Sequence, residues 1–132
     1  MTKLFVPNEI IRVFKQHYPT VDLGSVEWSW EVPGKIYEAE FDLDDQECEV
    51  EITVTGHWLL TEKVIAQGTV PKVVQHAVAE DYADYAVESA THIEYSTGDV
   101  AYEFDLKCAS TGEEIEVIYR EDGWKVLAGA DL

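Results

Sequence analysis

Carboxylates are the chemically active groups that stand out by spacing. Glu38, Glu40 and Asp42 alternate along one stretch, and Glu47, Glu49 and Glu51 along the next, with Glu27 and Glu31 placed the same way earlier. A spacing of two puts side chains of an extended strand on one face. If the strands pair as neighbours, these eight carboxylates share a single sheet face. Opposed residues of an antiparallel pair lie about 5 Å apart, where like charges destabilise. Two such charges repel by roughly 0.8 kcal/mol in bulk water and several-fold more at lower effective dielectric. A face of this kind is either a solvated, solubilising surface or a docking surface for a cationic peptide, a protein or divalent cations. The turn Asp42-Leu43-Asp44-Asp45-Gln46-Glu47 is dense in oxygen donors. Asp42, Asp44, Asp45 and Glu47 are therefore candidate calcium ligands. The turn is not an EF-hand, because it lacks the sixth-position glycine and has Thr53 where the bidentate glutamate belongs. No other cofactor is expected.

The remaining reactive residues are sparse. His17, His57, His76 and His92 show neither the helical i,i+4 pairing nor the cysteine neighbours of a zinc site. His57, beside Gly56 in a turn and next to Trp58, is the candidate binding histidine. Trp58 and Trp124 both follow turn glycines. Along with Trp28 and Trp30 they read as core anchors, or, for the two near turns, as anchors of a protein interface. Cys48 and Cys108 fall on the inward parity of predicted strands, which leaves two readings, buried free thiols or a single bridge. No GxSxG elbow, P-loop, GxGxxG or HExxH occurs. Carboxylates so abundant would supply an acid–base pair by chance, so their number is no argument for catalysis.

The elements that must position these residues are written in the hydrophobic pattern. After Pro7, residues Ile10, Ile11, Val13, Phe14 and Tyr18 recur at spacings of three and four, and after Pro71 so do Val73, Val74, Ala77, Val78 and Tyr82. Each set predicts a one-sided helix with proline in its first turn. Period-two alternation then follows. Tyr37, Ala39, Phe41 and Leu43 share a parity, as do Cys48, Val50, Ile52 and Val54. The second half has Tyr102, Phe104, Leu106 and Cys108, then Ile115, Val117 and Tyr119. Such alternation marks antiparallel strands with one dry and one wet face. Further strands are predicted at Val26–Val32, around Val87–Tyr95, at Trp58–Ile65 and at Trp124–Leu127. Glycine-bearing or acidic turns separate them.

The pattern is made twice. Val6-Pro7 recurs as Val70-Pro71, Tyr18 as Tyr82, Val26-Glu27-Trp28 as Ile93-Glu94-Tyr95, Tyr37-Glu38 as Tyr102-Glu103, and Phe41-Asp42-Leu43 as Phe104-Asp105-Leu106. Gly56, with Trp58 close behind, pairs with Gly123-Trp124. The expected architecture is α+β, a tandem repeat of one helix plus about four antiparallel strands over residues 1–66 and 67–132, together one compact domain. The helices are expected on one face of a curved antiparallel sheet.

Composition narrows the function classes. The chain has 132 residues and a formal net charge of −18, with 46 % hydrophobic residues. That is enough apolar material for a core and argues against disorder. Residues 1–66 hold five basic and 13 acidic side chains and residues 67–132 four and 14, so neither half is an acidic tail. So acidic a balance opposes nucleic-acid binding, which runs on clustered Lys and Arg. No apolar run approaches the roughly 18 residues of a membrane span, so membrane insertion is not expected. The start, Met-Thr-Lys-Leu-Phe-Val-Pro, lacks the apolar stretch of a secretory signal. The expectation from this start is either a protein that stays in the cytosol or a mature form behind a new Met.

Taken in order, Val6-Pro7, Tyr18-Pro19, Val26-Glu27-Trp28, Tyr37-Glu38-Ala39-Glu40-Phe41, Gly56-His57-Trp58, Thr61-Glu62 and Val70-Pro71 resemble the PepSY-like, β-lactamase-inhibitor-like family. The likeness covers nearly the whole chain, and its motifs are structural. It implies paired helix-plus-four-strand units, a periplasmic setting and no catalytic residues. In the related inhibitors, an exposed sheet face with its loops grips another protein. This chain departs from them in having one cysteine per half, rather than a disulfide within each, and in an acidic rather than aromatic outward face.

The expected function is a non-enzymatic binding module of the cell envelope. It would engage a protein or cationic peptide through Glu27, Glu31, Glu38, Glu40, Asp42, Glu47, Glu49 and Glu51, and through His57, Trp58 and Trp124. The alternatives are a proteinaceous inhibitor of an envelope or secreted enzyme, a small hydrolase with an unrecognised carboxylate pair, and a folded part of a larger assembly.

Overall fold

The computed structural model describes residues 4–126. Leu127, predicted at the end of the last strand, lies outside the described residues, as do the outer ends of both halves. Among the described residues, two α-helices and eight strands, antiparallel within the first four and within the last four, make an α+β fold. The chain divides into two compact units, Met1–Lys63 with Tyr95–Thr97, and Val64–Glu94 with Gly98–Leu132.

In the first unit, helix α1 spans Asn8–His17. Pro7 stands one residue ahead of the expected first turn, at the N-cap with an extended ψ of 152°. Its carbonyl receives the N–H groups of Ile10 and Ile11 at 3.0 and 3.2 Å. The helix ends at Tyr18 because Pro19 disfavours helical geometry in the residue before it. Ile10 and Phe14 are fully buried and lie against strands β1 (Glu27–Val32), β2 (Ile36–Leu43) and β3 (Gln46–Thr53). Phe14 meets Phe41 edge-on at 5.0 Å and Trp28 at 5.7 Å. Strand β4 (Trp58–Ile65) pairs with β3.

The predicted parities place the core. Tyr37, Ala39, Phe41, Cys48, Val50 and Ile52 are all buried. Val54 is not, being 41 % exposed, since it lies past the end of β3 in the turn to β4. The β2–β3 connection is Asp44-Asp45, both left-handed with φ of 50° and 65°. That geometry suits a two-residue hairpin, and Asp tolerates it better than most non-glycine residues.

In the second unit, α2 spans Lys72–Asp81, again with proline, Pro71, at its N-cap. Strands β5 (Tyr85–Tyr95), β6 (Val100–Cys108), β7 (Glu114–Arg120) and β8 (Lys125–Val126) pair in chain order. Val74 and Val78 pack with Ala90, Tyr102, Phe104, Leu106, Val117 and Tyr119. Tyr119 is wholly buried, and its hydroxyl donates to Asp81 Oδ2 at 2.7 Å.

Cys48 and Cys108 are free and buried. Burial pushes the Cys48 thiol up. Hydrogen bonds from Ser110 and Thr111 pull the Cys108 thiol down to about 7. Among the described residues, no helix is long and apolar enough to cross a membrane.

Candidate functional site

Strand register assembles the acidic face. Glu27 stands opposite Glu40, and Glu40 opposite Glu49. Glu49 in turn stands opposite Glu62. These four form one row across β1 to β4. A second row runs Ser29, Glu38, Glu51, Leu60, and Asp42 faces Glu47 beyond the first. Glu31 sits in the β1 bulge between Trp30 and Val32, near Glu38. All eight predicted carboxylates thus lie on β1–β3 in the expected parity. Five carboxyl pairs are directly opposed, counting Glu62.

The side chains respond as crowded carboxylates must. Partial burial lifts the Glu38 carboxyl from 4.5 to about 8, aided by hydrogen bonds with Glu31 and Glu49 and by the Glu49 charge. Partial burial likewise lifts Glu49 to about 8, with hydrogen bonds from Glu40 and Glu62 and the Glu62 charge adding to it. Glu51 rises to about 7 through burial and the charges of Glu31 and Glu38. Protons are therefore shared along the ladder near neutral pH, and the titration belongs to the cluster rather than to one residue. One carboxylate oxygen from each of Glu38, Glu40 and Glu49 lies within 4.8 Å of the others, so these three could hold a cation. The hairpin carboxylates Asp44 and Asp45 stand apart from this trio, beyond the ends of the two strands. Glu27, Glu40, Asp42, Glu47 and Glu49 also line a polar depression of about 330 Å³.

The second unit contains an equivalent trio that the sequence reading did not single out. Glu103, Asp105 and Glu116 bring carboxylate oxygens within the same 4.8 Å. Asp105 faces Glu116 as Glu40 faces Glu49. Burial, then the charges of Glu116 and Asp105, raise the Glu103 carboxyl. The surroundings differ, however. Lys107 faces Glu114 where the first unit has Asp42 facing Glu47, and Ile118 faces Glu103 where Glu51 faces Glu38. Ser89 also donates to Asp105 at 2.6 Å. The signal was present in the sequence as the parity shared by Glu103, Asp105 and Glu116. Glu62 was harder to place, because Trp58-Leu59-Leu60-Thr61 does not alternate and β4 slips at Leu59.

The turn aromatics separate. His57 is exposed, and its backbone N–H donates to Thr53 Oγ1 at 3.0 Å. Trp58 is half-buried against the core as the first residue of β4. Its indole stacks on His17 at 3.8 Å and 12°, and its Nε1–H donates to Thr61 at 3.0 Å. His17, rather than His57, is thus the histidine in contact with an aromatic ring at this turn. Trp124 is 71 % exposed, so the core-anchor reading fails for this tryptophan alone. The reason is register. Thr53 N–H bonds to His57 O, and Arg120 N–H bonds to Trp124 O. Trp124 therefore occupies the turn position of His57, and Lys125 that of Trp58. Lys125 lies over the Tyr82 ring at 4.7 Å, as Trp58 packs near Tyr18. A shift of one residue moves a side chain from the dry face to the wet one.

The described residues thus form an α+β fold with an acidic sheet face built from neighbouring strands. The chain belongs to the family described as "Putative beta-lactamase-inhibitor-like, PepSY-like", whose model matches residues 35–124. None of the curated proteins matches it. Among solved structures, it is similar to one from Bacteroides eggerthii described as "putative periplasmic proteins", at 17 % identity, TM-score 0.83, covering 94 % of this chain and 88 % of that one. A DUF2874 family protein of Bacteroides uniformis matches at 19 % identity, TM-score 0.83, covering 93 % and 88 %. A BLIP-like protein of Bacteroides fragilis matches at 22 % identity, TM-score 0.73, covering 94 % and 85 %.

Proposed function

We propose that this protein is a non-enzymatic protein-binding module of the cell envelope, and that the outward face of β1–β4 docks a cationic segment of its partner. The observation that carries the reading is the set of five directly opposed carboxyl pairs. Where both members are ionised, such a pair costs the fold some tenths of a kcal/mol or more. Where Glu38, Glu49 or Glu51 keeps its proton near neutral pH, the fold holds an acid that a partner's positive charge would favour ionising. A merely solubilising surface would disperse those charges, as the second unit does with Lys107 opposite Glu114. The carboxylates come from adjacent strands of one sheet rather than from facing elements around a cleft, which supports binding over acid–base catalysis. The periplasmic setting rests on the description of the Bacteroides eggerthii structure. We read residues 1–66 and 67–132 as copies of one ancestral helix-plus-four-strand unit, supported by the recurring carboxylate trio and the matched turns.

Inhibition of an envelope or secreted enzyme is the second reading, favoured by the family description and the BLIP-like neighbour. Capture of partners from an envelope extract on the immobilised full chain, followed by activity assays of captured enzymes, distinguishes the two. The first reading predicts salt-sensitive capture of a basic protein with no loss of activity, whereas the second predicts a silenced enzyme. Thermal melts in EDTA and in excess Ca²⁺ at matched ionic strength test a cation as the ligand. An unchanged midpoint removes that version.

A further inference from the structure

Trp124 is the most exposed tryptophan side chain, and its surroundings are shaped. It lines a groove of about 420 Å³ with Val73, Ala77 and Glu80 of α2 and with Asp122 and Lys125. The turn lies so close to the helix that a Cβ on Gly123 would stand 3.1 Å from Val73 Cγ2, at a φ of +92°. The groove floor is thus fixed by close backbone packing. Val73 is itself 52 % exposed, so an apolar strip continues from the indole along the helix. Charge decides what fits. The lining contains the carboxylates of Glu80, Asp81 and Asp122 against one ammonium, Lys125, and one imidazole, His76, and that ammonium is turned onto Tyr82. Asp122 is paired with Arg120 at 2.6 Å and Asp81 with Tyr119. Glu80 is exposed and faces water. A second copy of this chain would bring its own excess of carboxylates and meet repulsion.

We propose that this groove receives an arginine side chain of a protein partner, with the guanidinium plane on the Trp124 indole and its N–H edge on Glu80. An arginine satisfies both features at once, since its flat cation stacks on aromatic faces while its fork donates to carboxylates. This surface lies in the second unit and does not depend on the acidic face of β1–β4.

The test is an NMR titration of the full chain with a blocked Ala-Arg-Ala tripeptide, and with its citrulline isostere as the neutral control. Saturable shifts of the Trp124 indole N–H and the Val73 methyls with arginine, and markedly smaller ones with citrulline, are expected. Trp124→Ala and Glu80→Gln should each weaken binding about threefold, and Trp124→Phe should retain part of it. Glu38→Gln/Glu49→Gln should leave these shifts unchanged. The proposal is overturned by silence at Trp124 and Val73, by equal shifts with citrulline, or by shifts that vanish only in the Glu38/Glu49 variant. Shifts that follow protein concentration alone would identify self-association instead and equally overturn it.

Discussion

Glu49 is the most crowded carboxylate of the face, with Glu40 and Glu62 opposed on either side and Glu38 in hydrogen-bond contact. Partial burial and neighbouring carboxyls lift its carboxyl and that of Glu38 to about 8, and that of Glu51 to about 7, from the ordinary 4.5. The folded chain therefore holds protons that the unfolded chain has released. Stability rises with pH only where the unfolded state binds more protons, and here the folded state does. The contribution is whole below about pH 4.5 and drains away as pH climbs through about 7 to 8. Glu49→Gln removes one member of the ladder without changing its shape. Melts across this window should show a midpoint that falls less steeply in the variant, with the largest gain, about 2–4 °C, above pH 8. Parallel curves for variant and wild type would show that the ladder carries no such linkage.

The elements explain which parts of this site were legible in the sequence. β2 and β3 alternate without interruption and pair without a slip, so the parity of Glu38, Glu40, Glu49 and Glu51 follows from counting by two. The same continuity corrects the repeat. Matching Tyr37 to Tyr102 at one spacing and Phe41 to Phe104 at another requires an insertion that neither β2 nor β6 contains. The register equates Phe41 with Leu106 and Glu40 with Asp105. Where a strand bulges or a turn precedes a short strand, counting fails. Glu62 and Trp124 are the two results. The His17–Trp58 stack was invisible because α1 and β4 meet only in the fold. The difference between the two tryptophans is measurable. Trp58→Ala should cost about 2 kcal/mol or more, through lost burial and a lost stack, whereas Trp124→Ala should stay within about 0.5 kcal/mol. Chemical denaturation of both variants checks this, and equal losses would contradict the face assignments.

At the scale of the whole molecule, the two halves carry nearly equal acidic counts but spend them differently. The first concentrates opposed carboxylates on β1–β4, and the second interrupts its rows with Lys107 and Ile118. Equal charge with unequal arrangement is what a shared fold would show if only one copy kept the docking role. On the proposed function, repulsion retained against stability marks where a partner's positive charge would sit. The most direct measurement follows Glu38→Gln/Glu40→Gln/Glu49→Gln in two readouts on the same sample, its thermal midpoint and its capture of the proposed cationic partner from an envelope extract. The account predicts that, above about pH 8, the midpoint rises while capture is lost. A variant that gains stability and still captures the same partner, or one whose midpoint drops in that pH range, would contradict it.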